Sequence, residues 1–114
     1  MHELSVAIGM VDMATAEAER LDGEVLALHL KLGPLAGVVR EALEFAFELA
    51  RVDTPLAASL LVIEEVPVSV YCGACGREQV LEPPHWLMCP DCGAPTPDVR
   101  HGRECELVAL EMTE

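Results

Sequence analysis

The sequence predicts an α/β (α+β) fold, with two helices on a small mixed three-stranded sheet and a cysteine-rich module inserted before the last strand. Apolar residues recur at helical spacing in residues 4–21 and again in residues 38–51. Residues 24–32 alternate strictly between two faces, which is typical of a strand with one buried face. Four cysteines in two matched pairs then mark a separate module.

The first helix is predicted to end at Leu21, because Asp22-Gly23 follows and glycine commonly succeeds a helix C-terminus. Its predicted buried stripe consists of Leu4, Ala7, Ile8, Val11, Ala14, Ala18 and Leu21. The strand that follows is expected to bury its leucines on one face, namely Leu26, Leu28, Leu30 and Leu32.

A second helix is predicted between Gly37 and Asp53-Thr54-Pro55, because the residue before a proline disfavours the α conformation. Its expected buried stripe is Val39, Ala42, Leu43, Ala46 and Ala50, with Phe45 and Phe47 beside it. Residues 59–66 form the next strand, so the order strand–helix–strand predicts a parallel βαβ unit with a right-handed crossover. Residues 104–112 are β-like again and are expected to rejoin the same sheet.

Pro67 marks the change to the cysteine-rich module, whose short strands are predicted near residues 68–71, 79–82, 86–88 and 98–101. We therefore predict an α/β domain of residues 1–66 plus 104–114, with an inserted domain of residues 67–103. A chain of 114 residues can form a modest core. Since aromatic residues make up only 4% of the chain, leucine, valine, alanine and isoleucine must build that core.

The paired cysteines, Cys72, Cys75, Cys89 and Cys92, predict a metal site. A Cys-x-x-Cys turn can point two thiolates at one ion, and the glycine after each pair can adopt a positive φ that closes the turn. Two such pairs supply the four sulfur ligands of a closed tetrahedral Zn²⁺ site. Because the residues between the pairs suffice for two short hairpins, we predict a zinc ribbon with a structural zinc ion.

Iron is the alternative metal, because Cys-Pro-x-Cys-Gly also occurs in rubredoxin-like sites, and Tyr71 and Trp86 could supply their apolar wall. The protein would then be an electron carrier, and the preceding α/β segment would have no role. A zinc-ribbon interaction module is a third class. A catalytic dithiol is disfavoured, because the duplicated pairs outnumber the thiols that a redox relay needs.

The formal net charge is −13, and Lys31 is the single lysine. The dense negative charge of DNA or RNA would repel such a surface, so nucleic-acid binding is disfavoured. The apolar runs are too short to cross a bilayer, and an odd cysteine count with four in metal spacing indicates a reducing cytoplasm. The sequence has no glycine-rich phosphate loop and no nucleophile with a base at motif spacing, so we predict no enzymatic activity.

His2 stands beside the α-amine of Met1, separated from it by one backbone amide. The amine, that amide nitrogen once deprotonated, and an imidazole nitrogen can chelate one ion in a near-planar array, which suits Ni²⁺ or Cu²⁺. The site requires that Met1 be retained, and a Met-His start also occurs by chance in many proteins. Cys105 is interpreted as a buried apolar residue, with a reactive thiol as the alternative. His29 is interpreted as a polar residue on a half-exposed sheet.

Further segments are informative when taken together with the two cysteine pairs: Met1-His2-Glu3-Leu4-Ser5, Leu32-Gly33-Pro34-Leu35-Ala36-Gly37-Val38, Glu41-Ala42-Leu43-Glu44-Phe45-Ala46-Phe47-Glu48, Ile63-Glu64-Glu65-Val66-Pro67 and Gly102-Arg103-Glu104. In this order they resemble the HypA family, the nickel metallochaperones of [NiFe]-hydrogenase maturation. The resemblance covers the whole chain. It departs from the family pattern at Cys105, where leucine is usual, and in the loop from Gly33 to Ala36, where Gly-Glu-Leu-Ser is usual. Neither departure touches a proposed ligand.

The resemblance implies that residues 1–66 plus 104–114 form a nickel-binding domain and that residues 67–103 form a zinc ribbon with a structural metal. It implies that Ni²⁺ is transient cargo, held by His2 with the Met1 amine and the backbone nitrogens of His2 and Glu3. His101 or His85 would be the candidates for a further ligand. The implied partners are a HypB-type GTPase and the [NiFe]-hydrogenase large-subunit precursor; homodimerisation and urease as a second client stay open.

Overall fold

The structure, a computed structural model, describes residues 2–83 and 87–113. It contains two helices and six strands in this order: α1 (Glu3–Leu21), β1 (Val25–Leu32), α2 (Arg40–Ala50), β2 (Leu60–Glu65), β3 (Val68–Cys72), β4 (Arg77–Leu81), β5 (Asp98–His101) and β6 (Cys105–Met112). The first sheet has the strand order β2-β1-β6, and the second has the order β4-β3-β5. The predicted mixed α/β architecture is confirmed.

The first sheet is mixed, as predicted. β1 pairs with β2 in parallel, with Leu28 opposite Leu61 and Leu30 opposite Ile63. β1 pairs with β6 in antiparallel orientation, so the last strand does return to the first sheet. The core of this part lies between the sheet and the two helices, which also contact each other.

The buried face of α1 differs in part from the predicted stripe. The helix buries Ala7, Met10, Val11, Ala14 and Ala18. Leu4, Ile8 and Leu21 are 47%, 46% and 53% exposed, so the prediction was wrong at these three positions. Three of the five buried residues are alanines, whose small side chains let neighbouring elements approach closely.

Strand β1 contains a register shift near its start, and the residues before the shift lie on the face opposite to the one that strict alternation predicts. The pairing of β1 with β6 shifts register between Val25 and Ala27. Because side chains in a strand alternate with a period of two, such a shift moves the residues before it to the other face. Val25 therefore packs in the core and Leu26 is 46% exposed, contrary to prediction, whereas Leu28, Leu30 and Leu32 are buried as predicted.

Helix α2 buries Leu43, Ala46 and Phe47. The prediction was wrong at Val39, which is 58% exposed, and at Ala42, which is also exposed. Val39 precedes the helix as its extended N-cap residue, with φ −85° and ψ 123°, so helical spacing does not apply to it.

In the second sheet, β3 is central and antiparallel to both neighbours. Two predicted strands, near residues 68–71 and 98–101, are confirmed, and a third begins two residues earlier than predicted, as β4. Of the strand predicted at residues 86–88, Trp86 lies outside the described residues, and Met88 forms only an isolated bridge with Pro95. A small core of Val68, Val70 and Leu81 holds this sheet.

The two sheets join where the backbone of residues 33–35 packs directly against the backbone of residues 102–104. The amide of Gly33 donates to the carbonyl oxygen of Glu104 at 2.8 Å, and the amide of Leu35 donates to the carbonyl oxygen of Gly102 at 2.7 Å. A Cβ atom on Gly33 would lie 2.2 Å from the Gly102 carbonyl oxygen, closer than any side chain permits. Leu35 in addition packs against the second core. Across the described ranges, neither helix is long and apolar enough to traverse a bilayer.

Candidate metal centres

The four paired cysteines converge on one point. Their sulfur atoms all lie within 4.8 Å of one another. The Sγ atoms of Cys72 and Cys92 are 3.7 Å apart, and those of Cys75 and Cys89 are 3.8 Å apart. Tetrahedral Zn²⁺ with four bonds of about 2.3 Å requires neighbouring sulfurs roughly 3.8 Å apart. These two distances match that spacing, so the donor set fits a tetrahedral zinc ion.

Each cysteine pair lies on the same kind of turn. Gly76 and Gly93, which follow the pairs, have φ values of 69° and 74°. Their amides donate to the carbonyls of Cys72 and Cys89 at 2.8 and 2.9 Å, so each turn closes on its first cysteine. Left-handed backbone is costly for residues with a side chain, and glycine avoids that cost.

The thiols in this centre do not ionise independently. Hydrogen bonds to the sulfurs of Cys92, Cys89 and Cys72 raise the pKa of Cys75 to about 12. Desolvation opposes ionisation of Cys89, but the backbone amides of Cys92 and Asp91 outweigh it and lower its pKa to about 7. At neutral pH the group therefore keeps protons unless a cation compensates the charge of four thiolates.

A polar link between the two turns was not anticipated from the sequence. The guanidinium of Arg77, just after the first turn, pairs with the carboxylate of Asp91 in the second. Gln79 Nε2 also donates to that carboxylate at 3.0 Å. The sequence did contain a signal for this contact. Asp91 lies between the second pair of cysteines and Arg77 directly follows Gly76, so a shared metal site brings these opposite charges close together.

At the N-terminus, His2 occupies the position before α1. It has extended backbone, with φ −82° and ψ 129°, and its imidazole makes no capping hydrogen bond. The first intrahelical bond runs from the amide of Val6 to the carbonyl of His2 at 3.2 Å. The first amides of a helix have no intrahelical acceptor. The amides of His2 and Glu3 are thus outside the helical ladder; Met1 lies outside the described residues.

Glu3 connects this terminus to α2. Its Oε2 atom accepts a hydrogen bond from the amide of Val39 at 3.1 Å. That bond is the main cause of the lowered pKa of the Glu3 carboxyl. Because Val39 is the N-cap of α2, the carboxylate fixes the first turn of α1 beside the start of the second helix. The family resemblance implied only a backbone role for Glu3, so this side-chain contact was not predicted.

His101 is exposed and engaged with carboxylates. Its Nδ1 atom lies 3.0 Å from Glu104, and its Nε2 atom lies 4.0 Å from Glu78. Glu104 also accepts a 2.6 Å hydrogen bond from the amide of Gly102, and this bond, with His101, lowers its pKa. Within the described residues the structure does not gather His101 and His2 into one ligand group. His85 lies outside the described residues.

The two other residues singled out from the sequence lie on opposite sides of the first sheet. Cys105 packs against the first core, and desolvation there raises the pKa of its thiol. His29 is half-buried, and its Nε2 atom lies 2.6 Å from Glu111 on the neighbouring strand.

Comparison with known proteins gives one consistent result. A family profile described as "Hydrogenase/urease nickel incorporation, metallochaperone, hypA" matches residues 1–112. The chain is similar to the hydrogenase maturation factor HypA of Chloroflexus aggregans, with 51% identity over 97% of this chain and 98% of the relative. It is also similar to HypA of a Roseiflexus species, with 44% identity over 100% of this chain and 94% of the relative.

Solved structures are similar in fold. The solution structure of the nickel metallochaperone HypA from Helicobacter pylori matches with a TM-score of 0.66 and 21% identity, over 98% of this chain and 97% of the other. A second solution structure of a HypA protein matches with a TM-score of 0.68 and 23% identity, over 99% and 97%.

Proposed function

Because the chain belongs to the HypA family, we propose that it is a nickel metallochaperone that binds Ni²⁺ at its N-terminus and delivers it during [NiFe]-hydrogenase maturation. The observation that carries the nickel site is the start of α1 at Glu3. This start leaves the His2 imidazole exposed and uncommitted and keeps the first two amides out of the helical ladder. A chelate of the Met1 amine, the His2 and Glu3 backbone nitrogens and the His2 imidazole would break no intrahelical hydrogen bond.

Such a site suits cargo that must be released. Nitrogen donors in a near-planar array favour Ni²⁺ over Zn²⁺, which prefers a tetrahedron. The site is open to solvent at His2, so ligands can leave one at a time. Since amide nitrogens must lose protons to bind the metal, acid weakens nickel binding. Glu3 holds the terminus in place through Val39 but contributes only its backbone nitrogen to the chelate.

The cysteine centre has a different task in this proposal. Zn²⁺ bound by Cys72, Cys75, Cys89 and Cys92 would supply the positive charge that lets all four sulfurs ionise together. The four residues and their two turns would then close the zinc ribbon of residues 67–103, while residues 1–66 plus 104–114 carry the nickel. In this proposal zinc remains bound to the protein, and nickel is transferred to a partner.

Delivery requires partners, and we infer two from the family. A HypB-type GTPase would exchange nickel with the N-terminal site, and the [NiFe]-hydrogenase large-subunit precursor would receive it in the cytoplasm. The family description also names urease, which makes urease maturation a second candidate pathway for the same cargo. In this role the protein is a carrier and not an enzyme.

Calorimetry with Ni²⁺ tests the nickel site. Native protein is compared with His2→Ala and with a variant that carries one extra residue before Met1. We expect both changes to abolish the N-terminal binding event, because the first removes the imidazole and the second displaces the amine by one residue. If all three proteins bind nickel with the same affinity and stoichiometry, the N-terminal site is wrong.

A further inference from the structure

Within residues 2–83 and 87–113, one face of the first sheet carries no helix. The helices pack on the face that holds Leu28, Leu30 and Leu61. The side chains on the opposite face come from residues that are paired with one another across the three strands. We call this the open face, and its residues are Ala27, His29 and Lys31 on β1, Leu60, Val62 and Glu64 on β2, and Glu106, Ala109 and Glu111 on β6. Ala27 is buried between its neighbours and adds no exposed surface.

The open face is largely apolar at one end, where Glu111 is the charged residue level with Leu60 across Ala27. Leu60 is 64% exposed and Val62 is 41% exposed, and both lie on the edge strand β2. Ala109 on the far strand is also exposed and lies level with Val62 across His29. Apolar side chains grouped on a surface in this way are typical of a contact site for another protein.

The other end is acidic. The two basic side chains of the open face are already matched, since His29 lies 2.6 Å from Glu111 and Lys31 lies 4.0 Å from Glu64. Glu106 is exposed and, within the described part of the chain, has no ion pair. The acidic end is thus left with uncompensated negative charge.

At this acidic end the open face runs into a cleft of about 580 Å³ between the two sheets. Lys31 and Glu106 lie on its first-sheet side, and Ser69 and Glu78 lie on its second-sheet side. Five carboxylates line the cleft, those of Glu64, Glu65, Glu78, Glu104 and Glu106. Lys31 and His101 are the basic residues of the lining, and Arg40 outside it pairs with Glu65 at 3.1 Å, so negative charge is still in excess. Its size accommodates several side chains of a partner.

We infer that the open face and its cleft form a docking surface for a partner protein that presents a basic segment with interspersed apolar residues. Arginine is the best-matched side chain, because its planar guanidinium can bind carboxylates through two parallel hydrogen bonds. A second copy of this chain fits poorly, because it would bring the same acidic cleft and a net charge of −13 to the contact. The docking surface does not depend on the nickel site.

The probe is a ten-residue peptide of alternating arginine and valine, titrated into ¹⁵N-labelled, zinc-loaded protein without nickel. A peptide of alternating glutamate and valine serves as the charge control. We expect chemical-shift changes from the basic peptide to concentrate on β1, β2 and β6 and at the cleft. The double variant Glu64→Gln/Glu106→Gln is expected to weaken binding about tenfold, since two charge contacts are lost.

The matched control is Glu19→Gln/Glu48→Gln, which removes the same charge from the exposed surface of α1 and α2. We expect it to change the affinity less than twofold. Equal losses in the two double variants would show that only overall charge attracts the peptide, and the docking surface would be wrong. Absence of binding, or shift changes confined to the helices, would also overturn it.

Sedimentation velocity distinguishes a second copy. We expect Val62→Lys to leave the oligomeric state unchanged. A dimer of the native protein that dissociates on this substitution would assign the open face to self-association and contradict a basic partner.

Discussion

In the proposed function, the cysteine centre and the N-terminus of α1 bind metal in opposite ways. In the cysteine centre, four sulfurs converge from two turns, and Cys72 and Cys89 are almost fully buried. At the N-terminus, His2 is exposed and its imidazole makes no capping hydrogen bond. The first arrangement would enclose its ion among buried sulfurs, whereas the second would take up and release an ion while the fold stays intact.

The difference follows from how each donor set is made. The cysteine turns place all four sulfurs in advance, through glycines with positive φ. The proposed backbone donors at the N-terminus are nitrogens that a helix start leaves outside its ladder, and the Glu3 contact with Val39 fixes their location. We therefore expect changes at the two sites to have separable consequences.

The largest effect is expected from Cys89→Ser. Losing one thiolate opens the tetrahedron, and structural zinc in such sites contributes on the order of 10 kcal/mol to folding. Zinc content should fall to near zero, and the NMR signals of β3, β4 and β5 should lose dispersion. Cys105→Ser, outside the tetrad, is the control and should retain zinc; zinc loss there would implicate Cys105 as a ligand.

Gly33→Ala should break the junction between the two sheets. The added Cβ would lie 2.2 Å from the Gly102 carbonyl oxygen, and backbone cannot give way as a flexible side chain does. We expect about 3 kcal/mol of destabilisation in urea unfolding. Gly9→Ala has no atom within 4 Å of its new Cβ and lies within α1, so it should stabilise the protein by about 1 kcal/mol. Equal effects would refute the close approach at Gly33.

Glu3→Ala tests whether the terminus needs its anchor. The change removes the acceptor for the Val39 amide but leaves every proposed nickel donor in place. We expect nickel affinity to fall about tenfold by calorimetry, as for other groups that orient ligands. Glu3→Gln keeps an acceptor oxygen and should recover most of the nickel affinity. If Glu3→Gln instead binds nickel as weakly as Glu3→Ala, the effect comes from the lost negative charge and not from the lost hydrogen bond.

Glu104→Gln should have the smallest effect, and it should depend on pH. The bond from Gly102, together with His101, lowers the pKa of Glu104 below 4.5, so the ionised carboxylate favours the folded state. This stabilisation, about 1 kcal/mol, is fully present at neutral pH and is lost as the pH falls through the folded-state pKa. The stabilities of the native and variant proteins should therefore converge as the pH falls below the folded-state pKa of Glu104. A pH-independent difference would contradict this linkage.

The sequence predicted the local structure well. Helical periodicity located α1 and α2, and the Cys-x-x-Cys-Gly repeats predicted turns whose glycines do take positive φ. Register shifts are set by pairing with a distant strand, so the exposure of Leu26 could not be read from β1 alone. The same holds for Glu3, because Val39 reaches its carboxylate only through the packing of two helices.

Metal analysis of untagged protein after incubation with Ni²⁺ and desalting tests most directly whether the two centres are independent. We expect about one zinc and one nickel per native chain, and about one zinc but no nickel in His2→Ala, as follows from distinct donor sets. Nickel that displaces zinc in the native protein, or nickel retained by His2→Ala, would contradict the account, as would iron in place of zinc in the cysteine centre.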